Sequence, residues 1–355
     1  MKDLLVELTT TNSCNCKCRY CFELCKDNLP ELSLDEEKRQ ITLLRNTRRD
    51  YREKGFDRMS LVFWGGEPLL NVDFMLKAVK ATDDGSTRFV VYTNGTRKFE
   101  TRRFVSGLTK SQICRLEMQF SYDGEPHNST MRGHDGGTTL ENARICKDAG
   151  VDVSFKATLS FGHLDMLPKC WDSYEDLYSR FGDCVSYSPT LDTTSPGTDD
   201  LALWKEVLME TAKREYVFYR KHKRFLMSWF NPDRRRYCRT RGTVHVQPDG
   251  KMYLCHACPY IEDMERTVLG TTKNIGSFTE VVSERPEPGP NPECLKCTAT
   301  HCTVCHASLL KKGEDPFEKW TECATRAPVR CEYYRMFGDI DRALKFALLD
   351  WKTTK

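Results

Sequence analysis

The sequence predicts an α/β protein: strand–loop–helix units forming a parallel sheet that curves into a full or partial barrel, followed by a small cysteine-rich region. Three observations carry this reading. Apolar, strand-like runs alternate with helical stretches about every 30 residues through the first half of the chain. Polar signals fall directly after those runs, where the loops of parallel βα sheets hold their chemistry. After Pro232 the texture changes to short segments rich in Cys, Gly and Pro.

The elements follow in order. Leu4 to Leu8 is an apolar strand. Ser33 and Glu36 have capping-box spacing and open a helix expected to run to Lys54. Met59 to Trp64 is a second strand, ended by Gly65-Gly66, and Phe74 to Ala81 is helical. Arg88 to Thr93 is a strand stopped by Asn94-Gly95, and Leu116 to Tyr122 is one stopped by Asp123-Gly124. Thr138 and Glu141 read as a second capping box on a helix that ends at Gly150. Val151 to Leu159 is a fifth strand and Val185 to Tyr187 a sixth. Residues 190–200 read as a linker, Asp199 to Phe225 as a helix and Asp339 to Trp351 as a closing helix.

The chain has 355 residues, enough for one large and one smaller domain. No apolar run approaches the roughly 18 residues of a membrane span, and Met1 to Thr11 lacks the apolar core of a signal peptide. A cytoplasmic protein without membrane partners is expected. The net charge of +3 discriminates little. The 18 cysteines discriminate more: five lie between Cys14 and Cys25 and nine between Cys238 and Cys331. Such clustering in a cytosolic chain points to metal rather than disulfides. The cysteine-rich region has little periodic apolar pattern, so metal is expected to help hold it together. Tyr219 to Arg241 is strongly basic. It reads first as a solvated face and then as charge balance for anionic clusters. Nucleic acid ranks last, because no aromatic-interleaved RNA motif accompanies the run.

Cys14, Cys18 and Cys21 have the spacing C-x3-C-x2-C in the loop after the first strand. Three converging thiolates suit a four-iron cluster with one iron open to another ligand. A zinc loop completed by Cys16 or Cys25 is the rival reading. The run Cys14 to Cys21, with aromatic Tyr20 before the last cysteine, resembles the signature loop of radical S-adenosylmethionine (SAM) enzymes. Gly65-Gly66-Glu67-Pro68 is similar to that family's GGEP motif, and Thr93-Asn94-Gly95 to its third-strand ending. Ser121-Tyr122-Asp123-Gly124, with His127 and Arg132 following, resembles the fourth-strand motif of one large subgroup. The resemblance covers nearly the whole chain.

The resemblance implies a partial (β/α)6 barrel in which Cys14, Cys18 and Cys21 hold a 4Fe-4S cluster. Its open iron would take the methionine part of SAM. Gly65, Gly66 and Glu67 would meet the amino group, Ser121 the ribose or carboxylate, and Tyr20 the adenine side, with Asp123 and Arg132 as further cofactor-site residues. An external electron donor of flavodoxin or ferredoxin type is implied as well.

Cys238, eleven residues, Gly250, four residues and Cys255 match the first half of the C-terminal domain called SPASM, which carries two auxiliary 4Fe-4S clusters. Cys294-x2-Cys297-x4-Cys302-x2-Cys305 and then Cys323 resemble its second half, with gaps of four and two residues where the family has five and three. Carried over, Cys238, Cys255 and Cys305 would hold one cluster and Cys294, Cys297, Cys302 and Cys323 the other. Cys258 would complete the first, unless that iron is open to substrate. Zinc sites using His256, His301 or His306 are the alternative on spacing. The implied division is a radical SAM core over 1–195, a linker helix and basic segment over 196–236, the SPASM domain, a small α+β unit, over 237–332, and a C-terminal helix over 333–355.

Proteins of this kind mostly modify peptides or proteins, and maturation of a ribosomally made peptide is the first expectation. The runner-up is a sulfatase-type maturase that forms formylglycine; that subgroup carries an aspartate just after the cysteine that is Cys255 here, and His256 in its place argues against that chemistry and is itself a candidate base or cluster neighbour. Because the chain starts almost at the first strand, leader recognition is assigned to the catalytic domains or a separate leader-binding partner. A zinc-stabilised binding protein is the reading from another class.

Overall fold

A computed structural model describes residues 2–21, 30–191, 200–230, 242–260, 264–283 and 328–353. Among these residues nine strands form one sheet: β1 (Asp3–Thr9), β2 (Arg58–Trp64), β3 (Arg88–Thr93), β4 (Leu116–Ser121), β5 (Asp152–Leu159), β6 (Pro189–Leu191), β7 (Thr243–Val246), β8 (Lys251–Tyr253) and β9 (Val268–Thr271). Their order is β6-β5-β4-β3-β2-β1-β7-β8-β9. Pairing is parallel from β6 through β7 and antiparallel between β7, β8 and β9. Neither end strand returns to the other, so the barrel is open, as expected. Its sheet continues past β1 by three strands.

The helices are α1 (Leu34–Asp50), α2 (Val72–Thr82), α3 (Lys98–Ser106), the single turn α4 (Lys110–Ile113), α5 (Gly137–Asp148), α6 (Leu167–Phe181), α7 (Asp200–His222), α8 (Phe278–Ser283) and α9 (Pro328–Thr353). Period-two alternation decides how they cover the sheet. Leu4, Val6 and Leu8 align with Met59, Leu61 and Phe63, and the row continues through Val91, Met118 and Val153. All of these are buried in one core. Alternate positions such as Glu7, Trp64, Tyr92 and Gln119 point the other way and line the inside of the open barrel. Val244 and Val246 extend the apolar row beside Val6 and Leu8. The region after residue 242 thus contributes to the main core.

Several boundaries differ from the sequence reading. Ser33 caps α1 by accepting the Glu36 N–H at 3.2 Å, but the Glu36 carboxylate is buried and accepts from Arg39, Gln40 and Thr272 instead of completing a box. That helix ends at Asp50, before a turn in which Gly55 adopts φ +81°. The second capping box does not form: Gly136 at φ +72° sets the start of α5, Thr138 is already helical and Glu141 pairs with Lys98. The sixth strand is Pro189–Leu191 rather than 185–187, and it takes two residues from the expected linker. Val185 and Tyr187 are fully buried, and Tyr187 makes one bridge, to Met227. The helix α7 stops at His222, before Lys223 at positive φ. Its partner α9 starts at Pro328, well ahead of Asp339; proline suits a first helical position.

Candidate functional site

The loop after β1 carries Cys14, Cys18 and Cys21, all at least partly exposed. The β1–β2 pairing continues into this loop: Thr10 N–H donates to Trp64 O, Gly66 N–H to Thr11 O and Glu67 N–H to Ser13 O, at 2.9–3.0 Å. A Cβ on Gly65 would lie 2.3 Å from Thr11 O, and one on Gly66 2.4 Å from Ser13 O. Gly65 also sits at φ +137°. The two glycines are therefore required by the cysteine loop itself, whose backbone lies against theirs. The Glu67 side chain is fully buried and accepts from Leu69 N–H, Thr93 Oγ1 and Asn94 N–H. Burial pushes its carboxyl up to about 7 despite these donors. Glu67 thus ties the second-strand motif to the third-strand motif. Asn94 closes the circle: its Nδ2 donates to Asn15 Oδ1 at 3.0 Å and lies 3.9 Å from Cys14 Sγ. Asn15 in turn donates to Thr96.

Asp123, which follows β4, is a buried hub. Its carboxylate accepts from Arg132 Nε and Nη2 (3.0 and 2.9 Å), from Thr158 N–H (2.9 Å) and from the Tyr20 hydroxyl (2.5 Å). His127 Nδ1 is 3.4 Å away. Ser160 N–H donates to His127 Nε2, so Nδ1 carries the ring proton toward Asp123. Burial opposes the charge on Asp123, but Arg132, His127 and Thr158 outweigh it and hold the carboxyl at about 2. The Arg132 guanidinium also lies 5.4 Å from the Tyr20 ring, and His127 stacks on that ring. Asp123 and Arg132 thus meet protein groups and hold Tyr20, next to Cys21. Ser121 ends β4 opposite Lys156, on the inner face.

A second group lies inside the barrel. Glu7 on β1 is buried; its Oε2 is 3.2 Å from His245 Nδ1 and 3.5 Å from His256 Nδ1. His245 Nε2 meets Thr9 Oγ1 and Gln247 Nε2, both at 3.0 Å. Burial lowers the His245 pKa, whereas the two imidazoles hold Glu7 far below the usual carboxylate range against its own burial. His256 lies flat on Trp64 with ring centroids 4.0 Å apart, and Trp64 meets Tyr92 edge-on. Glu7, Trp64 and His245 escaped the sequence reading. Their signal was a polar or aromatic residue at the alternate positions of otherwise apolar strands.

Cys255 and Cys258 flank His256. Both are buried, with sulfurs 3.7 Å apart. A hydrogen bond from Cys258 lowers the Cys255 thiol to about 6 despite burial. Two thiolates on one tetrahedral metal at about 2.3 Å sit about 3.8 Å apart, whereas a disulfide needs about 2.05 Å. The pair therefore fits a shared metal. At the first loop a hydrogen bond from Cys16 lowers the Cys14 thiol to about 6 against partial burial, and Cys16 N–H also points at Cys14 Sγ (3.4 Å). Donors aimed at a sulfur favour its thiolate, the form that ligates. Cys238, Cys294, Cys297, Cys302, Cys305 and Cys323 lie outside the described residues.

The family called Radical SAM superfamily matches residues 8–169. A curated relative, radical SAM cyclopropyl synthase TigE from Paramaledivibacter caminithermalis, is 27% identical over 169 residues, which are 44% of this chain. The match spans 35% of that relative's length. Among solved structures, anSMEcpe with bound AdoMet aligns over 99% of this chain and 96% of its own, with TM-score 0.68 and 15% identity. Streptococcus suis SuiB bound to S-adenosylmethionine aligns over 89% and 76%, with TM-score 0.57 and 16% identity. At these identities the structures speak for the fold. No described helix is long and apolar enough to cross a membrane. With the cysteine loop, the glycine pair and the Asp123 hub each at the end of a parallel strand, residues 8–169 are a radical SAM domain, of the superfamily whose enzymes use a 4Fe-4S cluster and SAM.

Proposed function

We infer that this protein abstracts hydrogen from a peptide or protein substrate held inside the open barrel, and that it matures a ribosomally made peptide. When bound, the cluster and SAM supply one-electron cleavage of the sulfonium to a 5′-deoxyadenosyl radical. The chain's own residues hold and shield that chemistry. Cys14, Cys18 and Cys21 ligate the cluster, and Asn94 and the Cys16 N–H dress Cys14. Gly65 to Glu67 present backbone carbonyls to the SAM amino group, and Ser121 meets the ribose or carboxylate. Tyr20 sits on the adenine side, with Asp123 and Arg132 acting through it. The observation that carries the substrate assignment is the buried Cys255–Cys258 pair bracketing His256, whose ring reaches Glu7 and Trp64 on the inner face. A metal there stands beside the substrate chamber. SuiB, of like fold, has been solved with its precursor peptide SuiA, and anSMEcpe with the Cp18Cys peptide.

The reading extends to the division into a core over 1–195, a linker over 196–236, an auxiliary-cluster domain over 237–332 and a terminal helix over 333–355. Cys238, Cys255, Cys258 and Cys305 hold one auxiliary cluster, and Cys294, Cys297, Cys302 and Cys323 the other. A cytoplasmic setting, a flavodoxin- or ferredoxin-type donor and a separate leader-binding protein complete it.

The test is metal content of anaerobically purified protein together with 5′-deoxyadenosine release on adding dithionite and SAM. About twelve irons per chain are expected for three clusters, with turnover lost in the Cys14→Ala/Cys18→Ala/Cys21→Ala variant. About four irons with turnover would end the auxiliary-cluster assignment. Zinc without iron, and no deoxyadenosine, would overturn the enzyme reading of the site in favour of a zinc-stabilised binder.

A further inference from the structure

Glu7 is a buried anion with one oxygen left unengaged. It stands on β1, on the face that lines the open barrel, and strand pairing sets it beside His245 of β7. Its two imidazole neighbours meet the same oxygen: His245 Nδ1 is 3.2 Å and His256 Nδ1 3.5 Å from Oε2. Among the described residues no group donates to Oε1. The carboxylate is not sealed off either, because 8% of its side-chain surface stays exposed. A buried carboxylate that served packing alone would engage both oxygens, since each has lone pairs to satisfy.

The negative charge is also left in place. Gln247 Nε2 can only donate, so His245 Nε2 accepts from it and from Thr9 Oγ1, both at 3.0 Å. The ring proton of His245 therefore lies on Nδ1, facing Glu7, and burial favours this neutral form of the ring. Among the described residues no lysine or arginine pairs with Glu7. On the same inner face Arg88 pairs with Glu117, and Lys156 belongs to β5, four strands along the sheet from β1.

The walls beside the open oxygen are aromatic. Strand register places Trp64 of β2, Tyr92 of β3 and Gln119 of β4 in one layer, one inward-facing step beyond Glu7 toward the strand ends. All three are partly exposed. Trp64 is braced by the His256 ring and meets Tyr92 edge-on. Burial and the Glu7 charge together raise the Tyr92 pKa, so its hydroxyl stays protonated near the carboxylate. Aromatic walls that lead to an anion suit an alkyl stem with a cation at its tip. The rings cover the stem, and the carboxylate takes the charged end. A neutral or acidic group would leave the buried charge without a counter-ion.

We propose that Glu7, through Oε1, anchors a lysine or arginine side chain of the peptide substrate against Trp64 and Tyr92. The proposal rests on the reading of the barrel interior as a peptide chamber, and it names the residue class that the chamber selects. Glu7 lies two residues before the end of β1, the strand that runs on into the cysteine loop. The anchored residue is thus held at the end of the barrel where that loop stands.

The test uses anaerobically purified protein with SAM added and five probes. Each probe is an acetylated, amidated pentaglycine whose central residue is replaced by lysine, arginine, Nε-acetyl-lysine, norleucine or glutamate. Affinities are read by saturation-transfer NMR. A basic probe is expected to bind at least about tenfold more tightly than the neutral and acidic probes, and Glu7→Gln is expected to remove that preference. The wild-type series decides alone if Glu7→Gln does not fold. Equal affinity for norleucine and the basic residues would overturn the proposal, as would a basic preference that survives in Glu7→Gln. So would the absence of binding by any probe at millimolar concentration. Displacement of SAM by the lysine probe would overturn it too, because the carboxylate would then hold the cofactor's own cationic part. Deoxyadenosine release with dithionite is measured separately: its absence would sink the radical reading, while the probe series still decides what Glu7 binds.

Discussion

Gly65 shows how little freedom a site residue retains. Alanine there would place Cβ 2.3 Å from Thr11 O at a backbone φ of +137° that L-residues avoid. Gly65→Ala is expected to cost at least about 2 kcal/mol and to lower iron content, measured by urea unfolding and iron analysis. Asp123 is the second case. Asp123→Asn leaves the Arg132 guanidinium buried without its counter-charge, at a cost of about 3 kcal/mol. The sign of the pH effect follows from the folded pKa of about 2, below the unfolded 3.8. The contribution of Asp123 is complete above the unfolded value and is lost as pH falls through the folded one. Metal-free wild type should therefore lose roughly 2 kcal/mol more than Asp123→Asn between pH 6 and pH 2, as read from denaturant midpoints. The cysteines and glycines were legible in the sequence because their chemistry depends on spacing within a few residues. The Glu7–His245 pair was not, because its partners are 238 residues apart in sequence. The hydrogen-bond partners of Asp123 were hidden for the same reason: its donors come from three separate segments.

At the scale of elements, α7 is pinned by one carboxylate. Glu215 accepts from Trp171 Nε1 on α6 and from the N–H groups of Leu226 and Met227, beyond the end of α7. Burial pushes its carboxyl up to about 7. Glu215→Ala leaves three buried donors unpaired and should destabilise by about 3 kcal/mol or more. Hydrogen exchange at the Leu226 and Met227 amides would report the loosening locally. Neighbouring Trp204 and Trp229 should keep their packing if the pin is local. The first five strands were legible because each runs six to eight residues, as a largely apolar run in β1 to β3 and with strict alternation in β4 and β5. The sixth was misplaced because it has three residues and a leading proline, too short a run for alternation to register. The start of α5 was misread because a left-handed glycine, not a hydroxyl cap, sets it.

For the whole molecule, the informative fact is that β1 has two neighbours from opposite halves of the chain. It pairs with β2 on one side and β7 on the other. The sequence reading placed a boundary near residue 237 because cysteine density and apolar periodicity both change there. Strand pairing ignores that change: Val244 and Val246 complete the apolar row, and Gly242 at φ +77° approaches Asp3 O too closely for any side chain. A chain truncated after Phe230 would leave the edge of β1 and Glu7 uncovered. It is expected to aggregate rather than fold as an independent barrel, as size-exclusion chromatography would show. Recovery of a monomeric, cooperatively unfolding fragment would show that the β7 contact is dispensable.

The position of β1 also imposes a timetable on biosynthesis. The strand leading into Cys14, Cys18 and Cys21 is made long before β7, so its second edge stays bare until Val246 has been made. Throughout that interval three thiols hang from a half-held strand. Iron delivered then would meet a loop whose glycine brace is present but whose sheet is unfinished. Cluster insertion is therefore best matched to a chain in which β7 has already been made, and maturation of the metal centre becomes a step that waits on a contact between segments far apart in sequence.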